Sequence, residues 1–150
     1  IRNKKDDTLE EIKLLIKKLD LAKNVTIHGQ INNTTVLGSF YENAICSVSF
    51  GQAGLAVLQS MAYGVPFVTK KGAISGGEIT NISHQVNGFT CEDNVESLGE
   101  HMLLLCNNED LSLKMGENAF NRASTMFSQQ LLTDEIINLY ANLLNIHDSD

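Results

Sequence analysis

Apolar residues recur at helical spacing near the start of the chain. Leu9, Ile12, Leu15, Ile16 and Leu19 predict a helix from about Thr8 to Leu19. Asp7 with Glu10 three residues later gives a capping-box pattern at its entry. The pattern then changes. Val25-Thr26-Ile27-His28 is a β-prone run that stops at Gly29, and Gln30 to Thr34 is polar and loop-like. Val36, Leu37, Phe40 and Tyr41 predict a short helix, and Ala44 to Ser49 a second, buried strand. A glycine loop follows, then a helix from Leu55 to about Tyr63. Gly64 is its expected stop, and Pro66 opens a strand through Phe67-Val68-Thr69. In the last third Leu98, Met102 and Leu105 mark one helix, and Leu111, Met115 and Ala119 another. Leu131, Ile136, Leu139, Tyr140, Leu143 and Leu144 mark a third, ahead of an end at 145–150 expected to fray.

Strands alternating with helices imply an α/β fold, a parallel sheet with helices on both faces and a helical C-terminal tail. Right-handed crossovers place the loops that follow the strands along one edge, where ligands of such sheets bind. The loops at 29–33, 50–54 and 70–77 belong to that edge. Seven of the 11 glycines fall between Gly51 and Gly88, so backbone freedom is concentrated there.

A length of 150 residues suits one domain, and 43% hydrophobic residues suffice for a core. The formal net charge is −7. No basic face for nucleic acid or anionic lipid is present, so no nucleic-acid partner is expected. Cys46, Cys91 and Cys106 are an odd number with neither metal-ligand nor disulfide spacing. They read as reduced core residues, and the expected setting is cytoplasmic. Neither a signal peptide nor a bilayer-spanning run is expected. The first residue is Ile1, and the chain reads as a cut piece of a longer protein.

The richest stretch chemically is Ser49-Phe50-Gly51-Gln52-Ala53-Gly54-Leu55, a strand end, a glycine loop and a helix start. Glycines let the backbone approach a ligand closely. The first-turn N–H groups and the helix dipole favour negative charge. Local physics leaves two readings open, a phosphate loop and a tight turn that binds nothing. His28, just before Gly29, reads as structural, and His84, His101 and His147 lack ligand spacing. No nucleophile–histidine arrangement and no pair of carboxylates set for acid–base work can be drawn. The catalytic residues are therefore unassigned.

The order of residues from Ser49 to Val68 resembles the signature of retaining glycosyltransferases with the GT-B fold, the family of glycosyl transferases group 1. Gly54, Leu55, Met61, Ala62, Gly64 and Pro66 fall in register. The family's paired glutamates, separated by seven residues, are replaced by Gly51 and Gln59. Four further elements in the family's order extend the resemblance over nearly the whole chain. They are Asn24-Val25-Thr26-Ile27-His28-Gly29, Asn43-Ala44-Ile45-Cys46, Gly76-Gly77-Glu78-Ile79 with Asn87-Gly88-Phe89, and Ala119 with Arg122-Ala123 and Phe127-Ser128.

The resemblance implies that residues 1–150 are the Rossmann-like, donor-binding domain from the C-terminal half of a two-domain enzyme, lacking its first strands. That enzyme would move a hexose, with retention, from a UDP- or GDP-sugar to a glycan or lipid-linked acceptor. Polysaccharide assembly is the expected setting. The acceptor would be bound by the absent N-terminal half, and membrane contact at the inner face would come only through missing parts. No metal cofactor is expected. By the same resemblance Gly51, Gln52, Ala53, Gly54 and Leu55 would cradle the donor through backbone N–H groups. Gln59 would stand at the ribose position, and Gln30, Ile31 and Asn33 in the nucleobase loop. Glu78 is a helix entry or a donor-side carboxylate. Lys70 and Lys71 read as solvated lysines, with phosphate contact as the alternative. Two other functions fit the fold: an inactive nucleotide-sugar-binding scaffold, favoured by the loss of both glutamates, and a sugar-nucleotide epimerase.

Overall fold

The computed structural model describes residues 4–126 and 137. Apart from Ile137, the third helix expected in the last third, the Phe127-Ser128 element and the 145–150 end lie outside the described residues. The chain falls into two compact units, Ile1–Leu37 and Gly38–Asp150.

The first unit is built on helix α1, Lys4–Lys18. It begins earlier than the pattern predicts, so Asp7 lies inside the helix and not at its cap. Glu10 pairs with Lys13 at 2.8 Å instead of closing a capping box. The helix ends in a Schellman motif, Leu21 N–H to Ile16 carbonyl (2.9 Å) and Asp20 N–H to Lys17 carbonyl (3.2 Å). Asp20 takes the left-handed position, φ 53°. The run Val25 to His28 forms no strand. A strand is a pairing state, and β propensity alone does not supply a ladder partner. Val25 and Ile27 are accordingly exposed, and the Val25 N–H returns to the Leu21 carbonyl. Helix α2, Thr34–Tyr41, begins in this unit and ends in the next.

The second unit holds a parallel sheet in the order β1 (Ser47–Val48), β2 (Phe67–Lys70), β3 (Gly88–Cys91). The first strand is shorter than the expected Ala44–Ser49 run, and β3 was not anticipated. Helices α3 (Leu55–Ala62), α4 (Val95–Cys106) and α5 (Glu109–Met126) complete the unit.

Alternation along β2 separates two cores. Phe67 joins Ala53, Val57 and Met61 with Ala119 and Ala123. Val68 joins Phe89, Cys91, Leu105 and Met115, with Leu98 and Leu111 packed against them. Helix α3 therefore covers one face and α4 the other, while α5 contributes to both. Each large side chain fully buried here, Phe67, Phe89, Met61, Leu105 and Met115, contributes on the order of 1.5–3 kcal/mol.

A close contact lets α5 serve both cores. A Cβ on Gly116 would stand 2.1 Å from the Gly64 carbonyl oxygen, so only glycine allows the helix to approach. Gly64 in turn ends α3 with φ 68°. The Val65 N–H bonds to the Ser60 carbonyl (3.0 Å) and the Gly64 N–H to that of Met61 (2.9 Å), the Schellman pair expected of a glycine stop. Pro66 then leads directly into β2.

Candidate functional site

The glycine loop joins β1 to α3 at the carboxyl edge of the sheet, and its shape is set from both sides. Ser49 N–H bonds to the Val68 carbonyl (3.2 Å), and the fully buried Thr69 donates its hydroxyl to the Ser49 carbonyl (2.8 Å). The Ser49 hydroxyl closes the loop on the Gln52 carbonyl (2.6 Å). From the other side, Ile74 N–H reaches the Gly51 carbonyl (3.1 Å) and Ala53 N–H the Ile74 carbonyl (2.8 Å). The Ala53 methyl is wholly buried against Val57, so the loop is also anchored by packing.

This anchoring changes the expected donor set. The Ala53 N–H serves Ile74 and is not directed to a ligand. The open donors are those at the start of α3. Gly54, its N-cap, brings no side-chain hydrogen bond, and no acidic residue stands in the first turn. Among the described residues no acceptor meets the N–H groups of Gly54, Leu55 or Ala56. A helix start with unmet N–H groups, uncapped and without a carboxylate, has the donors and the dipole to accept an anion. Gly51 is exposed, its φ lies outside the left-handed region, and a Cβ there would meet nothing within 4 Å. Neither conformation nor packing demands that glycine. Leu55 and Ile74 stand beside the loop, each 75% exposed.

Gln59 is exposed on α3. With Leu58, Ala62, Phe120, Ala123 and Ser124 it lines a groove of about 460 Å³. No residue of the 50–55 loop lines that groove. In the first unit, Gln30 Nε2 donates to Asn32 Oδ1 (3.0 Å) and Ile31 is half-buried. Asn33 Oδ1 accepts the Val36 N–H at 3.0 Å, which makes Asn33 the N-cap of α2. His28 lies in an exposed, irregular segment and not at a strand end.

Glu78 takes the helix-entry role. Its carboxylate accepts from Gly76 N–H (2.8 Å) and from the Ser75 hydroxyl (3.0 Å) at the head of the 3-10 turn Glu78–Asn81. Its own backbone N–H, then Ser75 and Gly76, hold its pKa below the usual carboxylate value. Lys70 pairs with Asp93 at 2.7 Å, and Lys71 with Glu92.

Among the described residues no group of three His, Cys, Asp or Glu could hold an ion. His84 and His101 instead pack around Phe89, at ring separations of 5.6 and 4.6 Å. Of the cysteines Cys91 is buried and Cys46 half-buried, but Cys106 is exposed, which corrects its reading as a core residue. Of the apolar run before it only Leu105 turns inward; Leu103 and Leu104 are exposed like Cys106 itself. Burial pushes the Cys46 thiol up to about 11, with Cys106 adding to the effect, so Cys46 stays protonated at neutral pH.

Sequence reasoning found the loop but missed Thr69 and Ile74, which set its shape. Their bonds join residues about 20 positions apart in the chain, a relation that no local pattern encodes.

Residues 5–122 match the family described as glycosyl transferases group 1. A Haemophilus influenzae protein described as an uncharacterized glycosyltransferase is 30% identical over 139 residues, covering 90% of this chain and 36% of its own length. The chain spans about a third of the length of the curated relatives it matches. The structure is similar to the C-terminal domain of a glycosyl transferase group 1 family protein from Francisella tularensis. That match has a TM-score of 0.70 at 21% identity, covering 85% of this chain and 66% of that one. It is also similar to HepE of Anabaena, crystallised with UDP, with a TM-score of 0.71 at 19% identity over 91% of this chain and 37% of that one.

Proposed function

Because the chain belongs to the glycosyl transferases group 1 family, with the Rossmann-like parallel sheet of GT-B glycosyltransferases, we propose that it binds the nucleotide-sugar donor of a two-domain hexosyltransferase. The donor diphosphate sits at the start of α3, against the N–H groups of Gly54, Leu55 and Ala56, with Gly51 leaving room for the group beyond it. The observation that carries this reading is the uncapped helix start beside a loop tied down by Ser49, Thr69 and Ile74. A pre-shaped loop binds an anion without the cost of ordering it.

Transfer follows from the same geometry. The diphosphate leaves as an anion, and fixed N–H dipoles stabilise that charge as it develops, which is often the largest catalytic contribution. The hexose passes with retention to a glycan or lipid-linked acceptor held by the other half of the enzyme, in a cytoplasmic setting of polysaccharide assembly. The donor needs no metal ion in this scheme. Among the described residues no helix is long and apolar enough to cross a membrane. A second reading, binding without turnover, is favoured by Gly51 having no side chain and Gln59 facing the α3–α5 groove.

Thermal unfolding in the presence of UDP, GDP and ADP tests the donor site. A ligand specific to the native state raises the midpoint with the logarithm of its concentration. One of the three is expected to raise it and the others not. An unchanged midpoint with all three overturns the reading. Transfer or donor hydrolysis by the protein that shows the shift separates the enzyme from the scaffold.

A further inference from the structure

We propose that Lys70 is a phosphate ligand of the donor, released from Asp93 as the diphosphate arrives; the proposal rests on the donor-site reading above. Residues 38–150 contain four Lys and Arg side chains before any ligand is considered: Lys70, Lys71, Lys114 and Arg122. Lys114 and Arg122 belong to α5, and Arg122 turns to Asn81 Oδ1 at 3.5 Å. Only Lys70 and Lys71 stand at the carboxyl edge of the sheet.

The two lysines differ. Lys70 ends β2, and the ladder that joins Ser49 N–H to the Val68 carbonyl sets it level with the root of the glycine loop. Its Nζ stands 6.0 Å from the ring centroid of Phe50, the residue before Gly51. Its side chain is 25% exposed, against 62% for Lys71. The Asp93 partner, however, is 67% exposed. A mostly covered lysine side chain thus has its counterion out in solvent, and such pairs are weak. A diphosphate at the loop offers stronger charge-assisted hydrogen bonds than one solvated carboxylate. Exchange of Asp93 for phosphate keeps the ammonium paired throughout. The chain as a whole carries −7, so a local cation is what an anionic donor needs at this edge.

Calorimetric titration of the protein with UDP, GDP and ADP tests the assignment in Lys70→Gln, Lys70→Arg and Asp93→Asn, with circular dichroism to confirm folding. Lys70→Gln is expected to weaken the bound diphosphate roughly tenfold, and Lys70→Arg to stay within about threefold of the parent because the charge remains. Asp93→Asn is expected to tighten binding severalfold, since it removes the competing carboxylate. Equal affinity of Lys70→Gln and the parent overturns the assignment. So does a loss in Asp93→Asn matching that in Lys70→Gln, which makes the pair a brace for the edge and not a ligand reserve. A parent protein that binds none of the three diphosphates overturns the donor-site reading itself, and the Lys70 assignment with it.

Discussion

At the scale of single residues, His84 ties the last loop before β3 to that strand. Its Nδ1 accepts the Thr90 N–H at 3.2 Å, which only the unprotonated nitrogen can do. Partial desolvation of this exposed ring, then the charges of His101 and Lys71, hold its pKa below the ordinary 6.5. A histidine lowered in this way stabilises the fold fully above its unfolded pKa. It loses that contribution as pH falls through the lower, folded value. Urea midpoints recorded between about pH 7 and pH 5 are expected to fall in the parent protein and to fall less in His84→Gln. Parallel curves for the two proteins contradict this role. None of it is visible from the sequence, where His84 shows only the lack of a ligand spacing. Lys70 and Lys71, a doublet in the sequence, likewise become different residues only when Asp93 and Glu92 arrive from more than 20 positions away.

At the scale of elements, the helices were legible and the strands less so. The ends of α3 could be read because its signals are local: a glycine loop before Leu55, and Gly64 ahead of Pro66. Strand β3 could not, since Gly88-Phe89-Thr90-Cys91 becomes a strand by pairing with β2. Val25 to His28 carries the better β composition and pairs with no described strand. Helix α5 adds a constraint that its amphipathic pattern hides, the contact between Gly116 and the turn at Gly64. Gly116→Ala is expected to lower stability by about 1–3 kcal/mol through overpacking, measured by urea unfolding. Gly99→Ala, on α4 with nothing within 4 Å of the added Cβ, serves as the control and is expected to be neutral or stabilising. Equal effects of the two changes speak against a close approach at Gly116.

At the scale of the whole molecule, stability is unevenly spread. No described residue from 8 to 37 is buried, whereas Phe67, Val68 and Thr69 are shielded completely. Amide hydrogen exchange is expected to be slowest at Phe67–Lys70 and faster by orders of magnitude in α1. Comparable protection in α1 contradicts that ordering. The sheet itself ends at β1, which bonds to β2 on one side and to no described strand on the other. Val48 in that strand and Ile45 just before it are exposed. An edge that no described strand covers, with apolar residues beside it, is a template for an extended chain that meets it. The strand that launches the ligand loop is thus also a place where this polypeptide, handled alone at high concentration, is prone to self-associate.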